Sequence, residues 1–337
     1  MRQRVFIIVV IATVSILTVL PHRQVGLKTS ARLPVKRCLL EDFLNGSWNP
    51  STHIQPQGYQ YCQIDHRQDC RSNDPSYLGQ SWEPHRKDCV PRPIRRNEFL
   101  SHFRNKDIVF VGDSMARNQQ QSVQCMLMNS HETKLEWTDG FKLEYNSYFP
   151  EYNTSVQHLL SGWRDFLSPE HIHELNNFDI VIISVGSAWK RADSGLPSLE
   201  GKTVKEAKAI VHEAIRKRFS ALEDLPKHIQ IIWKTPDLPH WAVSISDNPW
   251  NLPCAAHKHS DPLQLWIREA LLLENKQRPN AHNIHVMDVF DLIKTRADAH
   301  PNNHSLKFGG KHDCLHWCLP GIPDTINEII FDFLQRM

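Results

Sequence analysis

The sequence predicts an α/β fold of three layers, with a mostly parallel central sheet and a disulfide-stapled segment ahead of it. Three observations predict this. Four short, mainly apolar runs recur between residues 107 and 287, each the length of a buried strand. Helix-length segments near 203–219 and 262–276 separate the later runs, and strands alternating with helices build parallel sheets. Near the C-terminus Ile326, Ile329, Ile330, Phe333 and Leu334 recur at helical spacing, one apolar stripe made to pack on a sheet. The composition agrees. The 337 residues are 40% hydrophobic and 23% charged with a formal charge of +2, which is globular and carries no electrostatic footprint for nucleic acid.

In chain order, Arg2 and Arg4 precede a run from Val5 to Leu20 interrupted only by Thr13, Ser15 and Thr18. As a helix it would span about 24 Å, short for a bilayer core of about 30 Å but close to thin early-secretory membranes. A cleaved signal peptide needs small residues after the run; here it meets Pro21, His22, Arg23 and Gln24. The expectation is a signal anchor over 1–20. The leading arginines keep the N-terminus cytosolic, so the remainder faces the lumen.

Residues 21–34 read as a stem and 35–105 as an irregular, cysteine-rich part with Trp48, Tyr61 and Trp82 as apolar anchors. The cysteines number eight in all, Cys38, Cys62, Cys70, Cys89, Cys125, Cys254, Cys314 and Cys318. Behind a targeting segment an even set reads as four disulfides, with roughly a hundred possible pairings. Sequons at Asn45, Asn153 and Asn303 are glycosylation candidates that imply exposed loops. The α/β core covers 106–337. Its strands are expected at Asp107–Gly112, Ile180–Ile183, Ile229–Trp233 and Ile284–Met287, with a helix from Ala116 to Leu127 and a last helix capped by Asp324.

Ser114 follows the first buried strand directly. In a parallel sheet, sites lie beyond the carboxyl ends of the strands, and a helix N-terminus there offers N–H groups to an oxyanion. The bland alternative is that Ser114 caps the helix. A serine nucleophile needs a base. Asp313 and His316 stand three apart; in a helical turn they share a face, and a carboxylate beside an imidazole fixes its tautomer. Cys314 and Cys318 could pin this loop by disulfides, or build a metal site with His316. The remaining histidines lack ligand spacing, so no metal is expected.

The residues at this point resemble a known family. Gly112-Asp113-Ser114 with Arg117-Asn118-Gln119, and the run Asp313-Cys314-Leu315-His316-Trp317-Cys318-Leu319-Pro320-Gly321, resemble the GDS and DxxH blocks of the plant trichome birefringence-like proteins, the PC-esterase group of polysaccharide O-acetyltransferases. The stretch Tyr77–Cys89, His240 with Trp250-Asn251 and Cys254, and Arg296 with Asp298-Ala299-His300-Pro301 resemble its other blocks in order. The resemblance covers about residues 36–337.

The resemblance implies an SGNH-hydrolase-like fold, Golgi anchoring with a lumenal catalytic domain, and acetyl transfer to a wall polysaccharide such as xylan, xyloglucan, mannan or pectin. It implies Ser114 as nucleophile, His316 as base and Asp313 as its orienter, in a double displacement. Gly186, Arg117 and Asn118 would serve the oxyanion side, and His240 and Trp250 the acceptor. The implied partners are the polysaccharide and an acetyl donor, or a membrane protein supplying it, with no bound cofactor. The implied disulfides are Cys38–Cys89, Cys62–Cys125, Cys70–Cys318 and Cys254–Cys314. The sequence departs from the family where Gly186-Ser187-Ala188-Trp189 stands for Gly-His-Trp and Ile326 for a Trp. Water as acceptor would make the same triad an esterase, and the altered Gly186 block leaves a non-catalytic polysaccharide binder as a further alternative.

Overall fold

The first elements described in the computed structural model are helix α1 (Leu40–Leu44) and strand β1 (Gly46–Pro50). The structure describes residues 37–50, 57–62, 64, 68–71, 78–129, 146–160, 169–184, 199–240, 254–255, 262–278, 281, 283–301 and 313–337. The expected anchor and stem lie outside the described residues. Among the described residues, no helix is long and apolar enough to cross a membrane.

The cysteine-rich part is less irregular than its composition suggests. Strand β2 (Gln80–Pro84) pairs antiparallel with β1, placing Trp82 opposite Trp48. Their rings meet edge to face at 5.5 Å, and each indole N–H donates to a main-chain carbonyl, Trp48 to Leu292 and Trp82 to Phe43. Such cross-strand pairing is invisible in a local window, because about thirty residues separate the two strands. Tyr61, expected as an anchor, is exposed; the buried tyrosine is Tyr59. Tyr59 belongs to a short 3₁₀ helix, Gln57–Tyr61, that lies on the backbone of a later helix. A Cβ at Gly58 would come within 2.2 Å of the Cys125 carbonyl oxygen, so the close approach requires glycine. The Cys62–Cys125 disulfide closes the same contact.

Helix α2 (Arg96–His102) leads into the core. Then come β3 (Asp107–Gly112), α3 (Ser114–Leu127), β4 (Ser147–Phe149), β5 (Thr154–Leu160), α4 (Pro169–Leu175) and β6 (Ile180–Ser184). They are followed by α5 (Val204–Glu223), β7 (Gln230–Lys234), α6 (Pro262–Gln277), β8 (Ile284–Met287), α7 (Phe290–Ile293) and α8 (Ile322–Arg336). The sheet order is β4-β5-β3-β6-β7-β8. All neighbours run parallel except β4, which lies antiparallel on the β5 edge.

The apolar runs of β3 and β6 are continuous because these central strands bury both faces. Ile108, Phe110, Ile180, Ile182 and Ile232 point into a core shared with α8, Tyr59 and Trp82. Val109, Val111, Val181, Ile183, Ile231 and Trp233 point into the opposite core under α5 and α6. Successive side chains thus feed the two sides of a three-layer sandwich. The first of these cores also holds Phe43, Phe99 and Phe103, so the cysteine-rich part and the sheet share one interior.

Strand β5 was not expected. Its residues Ser155, Gln157 and His158 break the apolar run, yet Ser155–Leu160 pairs with the whole of β3. The last helix starts earlier than expected. Gly321 is its N-cap, and Asp324 lies in the first turn, accepting the Gly321 N–H at 3.1 Å. The same carboxylate accepts the hydroxyls of Tyr59 and Ser122, each at 2.5 Å. Burial pushes Asp324 up to about 6 despite these donors. The stripe Ile326, Ile329, Ile330, Phe333 and Leu334 is buried as expected. All eight cysteines are paired as the resemblance implied.

Candidate active site

The parallel strands place β5 on one side of β3 and β6, β7 and β8 on the other. The sheet order therefore reverses beside β3, and crevices form at such points beyond the strand ends. Ser114 stands there as the first residue of α3, immediately past β3.

Two features free the serine for chemistry. The helix cap is Asp113, whose carboxylate accepts the Met115 N–H at 2.9 Å, so Ser114 is not the cap. Gly112 has φ 149°, and a Cβ there would lie 2.0 Å from the Ser184 carbonyl oxygen. Only glycine ends β3 this tightly against β6, and that turn aims Ser114 out of the strand. His158 of β5 supports the turn, with its Nε2 3.3 Å from the Gly112 carbonyl. Burial, and then the charge of Arg117, push His158 down to about 4, so it is a neutral donor. Nothing in the sequence marked His158, because its role depends on which strand lies beside β3.

The Ser114 hydroxyl lies 2.8 Å from Nε2 of His316, and His316 Nδ1 lies 2.8 Å from Asp313 Oδ2. A carboxylate accepts only, so it fixes the proton on Nδ1 and leaves Nε2 to accept from serine. The expected helical turn is absent. Instead Asp313 Oδ1 accepts the N–H groups of Leu315 and His316 at 3.1 and 3.0 Å, and this Asp-capped bend brings positions three apart together. Burial works to raise the Asp313 carboxyl, but the His316 ring and these N–H groups outweigh it and hold it well below the usual carboxylate range. Asp313 stays ionised at any pH at which the imidazole acts.

Disulfides bracket the bend. Cys254–Cys314 and Cys70–Cys318 tie both its shoulders to distant chain. Both sulfurs are thereby consumed, so the metal site considered for Cys314, His316 and Cys318 is not available. The one other grouping of ligand types among the described residues, Cys38, Asp88 and Cys89, also uses a disulfide pair.

Two expected site residues have other work. Asn118 is fully buried. Its amide donates to Gln68 Oε1 at 2.9 Å and the Trp317 carbonyl at 3.2 Å, while its Oδ1 accepts the Trp317 N–H at 3.2 Å. Both its hydrogens are taken, so Asn118 clamps the residue after His316 and does not face an oxyanion. His240 is also buried, with its ring nitrogens against His300 and the Lys294 carbonyl; it does not reach an acceptor sugar. Arg117 is half-buried in the first turn of α3. Gly186, Trp163, Trp189, Trp241, Trp250 and Asn303 lie outside the described residues. Asn45 and Asn153 are exposed. A cavity of about 840 Å³ beside the β1–β2 ribbon, walled by Trp48, Gln80 and Arg296, includes none of the three triad residues.

A strand-end serine hydrogen-bonded to a His–Asp pair three residues apart has the geometry that a serine nucleophile, its base and an orienting carboxylate require. A family model described as the GDSL/SGNH-like acyl-esterase family found in Pmr5 and Cas1p, PC-Esterase, matches residues 92–333. The chain belongs to the PC-esterase family. This PC-esterase is 27% identical over 306 residues to xyloglucan O-acetyltransferase 1 of Arabidopsis thaliana, covering 78% of this chain and 72% of the relative. It is 26% identical to xyloglucan O-acetyltransferase 2 of Populus trichocarpa, over 88% of this chain and 82% of the relative. Protein trichome birefringence-like 1 of Arabidopsis thaliana is 25% identical, over 93% of this chain and 65% of its own length.

Proposed function

We propose that this PC-esterase is a polysaccharide O-acetyltransferase that works by double displacement, with xyloglucan as the first acceptor to test. The observation that carries the reading is the unbroken hydrogen-bond chain Ser114–His316–Asp313. The relatives' names direct it toward acetyl transfer to xyloglucan.

In the first half, Ser114 Oγ attacks the donor's acetyl carbonyl and its proton passes to His316 Nε2. The tetrahedral oxyanion meets the Ser114 N–H at the start of α3, one of the helix N–H groups without an intrahelical acceptor. The donor's leaving group departs with the proton from His316. In the second half, a sugar hydroxyl gives its proton to His316 and attacks the acetyl-serine carbonyl; collapse returns that proton to Ser114. Asp313 stabilises the imidazolium in both halves. Arg117 and Gly186 are assigned roles toward the oxyanion, and Trp250 toward the acceptor sugar.

We place the protein in the Golgi membrane with its catalytic part in the lumen. What supports this is the apolar leader of the sequence and four disulfides, which persist in oxidising compartments. The exposed sequons Asn45 and Asn153 fit N-glycosylation there.

The test incubates the full-length protein, and its Ser114→Ala variant, with acetyl donors and a panel of xyloglucan, xylan, mannan and pectin oligomers, read by mass. Ser114-dependent acetyl gain on xyloglucan is the expected result. Gain on another glycan moves the acceptor. Loss from acetylated oligomers without any gain replaces the transferase with an esterase.

A further inference from the structure

Behind the triad lies a pair of imidazoles that the reaction leaves unused. His300 is fully buried and stacks on Trp317, with centroids 4.1 Å and planes 16° apart. Its Nδ1 lies 2.6 Å from the main-chain carbonyl oxygen of His316. Its Nε2 lies 2.7 Å from His240 Nδ1, and His240 Nε2 lies 3.1 Å from the Lys294 carbonyl oxygen. Four ring nitrogens therefore form one chain with a carbonyl at each end.

The hydrogens of this chain can be counted. A carbonyl oxygen only accepts, so both end nitrogens carry hydrogen. The central nitrogen-to-nitrogen contact needs one hydrogen more. That makes three, whereas two neutral imidazoles hold two.

We propose that His240 and His300 hold one extra proton between them and act together as positioning residues, tethering the His316 main chain so that its ring meets Ser114. This rests on the Ser114–His316–Asp313 reading above. The proton resides on His240. Burial and the neighbouring His240 push His300 down to about 3, leaving His300 neutral, with Nδ1–H donated to His316 and Nε2 accepting from His240.

Among the described residues, the surrounding charges come from three packed segments. Beside His240, Lys234 and Asp237 pair with each other, and Asp237 also accepts the Trp317 indole N–H at 3.1 Å. On the segment bearing His300, Lys294 pairs with Asp291 and Arg296 with Asp298. From the third segment come His316 and the ionised Asp313, whose carboxylate favours a positive charge on the pair. Because the neighbouring cations are already matched, the imidazolium adds one charge facing one carboxylate.

The sign of the pH effect follows. The extra proton is present at low pH and leaves as pH rises. Its loss turns one of the three hydrogen bonds into two facing lone pairs, and the tether to His316 loosens. Serine reactivity therefore has an alkaline limb set by the histidine pair.

The experiment follows labelling of Ser114 in the full-length protein by a fluorophosphonate across pH, with the ring ¹⁵N spectrum of the same protein. Asparagine carries an amide N–H near the position of Nδ1. His300→Ala is expected to slow labelling about 10–100-fold through misplacement of His316, and His300→Asn to recover most of it. His240→Asn, which donates to His300 but cannot lose that proton, is expected to abolish the alkaline limb alone. In the wild-type spectrum at neutral pH both nitrogens of His240 should be protonated. An alkaline limb unchanged in His240→Asn, or a spectrum with two neutral rings, overturns the proposal. Failure of the wild type to label at Ser114 would instead remove the serine mechanism, and the nitrogen count would still decide the pair.

Discussion

Substituting Gly112 by alanine should damage both stability and chemistry, and the structure sets the size of each effect. The new Cβ would lie 2.0 Å from the Ser184 carbonyl oxygen, where contacts under 3.0 Å essentially never occur. Relief requires β3 and β6 to part by about an ångström at the register pair Gly112–Ser184. The backbone at φ 149° costs a non-glycine residue about 1–3 kcal/mol. Opening the strand end loses about another 1 kcal/mol per weakened ladder hydrogen bond. With one or two such bonds the sum is about 2–5 kcal/mol, or a fall in Tm of about 3–8 °C for a domain of this size. Ser114 follows two residues later, so a shift of about an ångström should slow its labelling by a fluorophosphonate about 100-fold. Gly201→Ala is the control. Its φ of 69° also favours glycine, but nothing lies within 4 Å of its Cβ position. It should cost about 1–2 kcal/mol and leave labelling unchanged. Differential scanning fluorimetry and labelling rates measure both. A Gly112→Ala protein with unchanged Tm and labelling within two-fold of wild type would refute the claim that this contact shapes the nucleophile turn.

Three further outcomes are expected. Asp313→Asn should keep the fold but lower acetyl transfer and serine labelling by about 10³–10⁴-fold, because the amide no longer enforces the Nδ1 proton; a loss under ten-fold would remove Asp313 from the mechanism. Asp324 sits at about 6 in the fold against an ordinary 3.8, so its contribution to stability is fully present below 3.8 and is lost as pH rises through 6. That gap corresponds to about 3 kcal/mol, so urea unfolding of Asp324→Asn against wild type should move by this amount in the variant's favour between pH 4 and pH 7. The paired replacement of Cys254 and Cys314 by alanine opens a loop with a sequence separation of 60 residues, worth about 4 kcal/mol of unfolded-state entropy; labelling of Ser114 should fall more steeply with temperature than in wild type.

Much of the active site was legible in the sequence because its parts are local. A strand that ends in glycine and turns into a helix places Ser114 at the carboxyl end of its strand whatever else the chain does. Asp313 and His316 are three residues apart, so one bend can join them, although that bend is an Asp-capped turn and not a helix. The misreadings concern residues whose partners are remote in sequence. Asn118 and His240 belong to the family's blocks and are polar, which suited them to substrate. Their buried positions commit their hydrogen-bonding groups to Trp317, Gln68, His300 and Lys294 instead.

The sequence by itself determined the strands β3, β6, β7 and β8, the helices near α5 and α6, and the apolar stripe of α8. Each is set by the period of its own side chains, and in the central β3 and β6 burial on two faces leaves no choice but a continuous apolar run. It also determined that eight cysteines would be paired, although their partners came from the family resemblance. Only the tertiary structure decided that Ser155, Gln157 and His158 lie in a strand, that Trp48 meets Trp82, and that Asp113 caps α3 in place of Ser114. It also decided that Tyr59 is buried where Tyr61 is exposed. In each case the deciding force is a neighbour brought in from far along the chain. The β3 ladder supplies partners for β5, a hairpin-like ribbon closes across a long loop, and the Gly58 approach carries Tyr59 to the Asp324 carboxylate. Packing selects such pairs after local propensity has been satisfied, so no window of the sequence contains them.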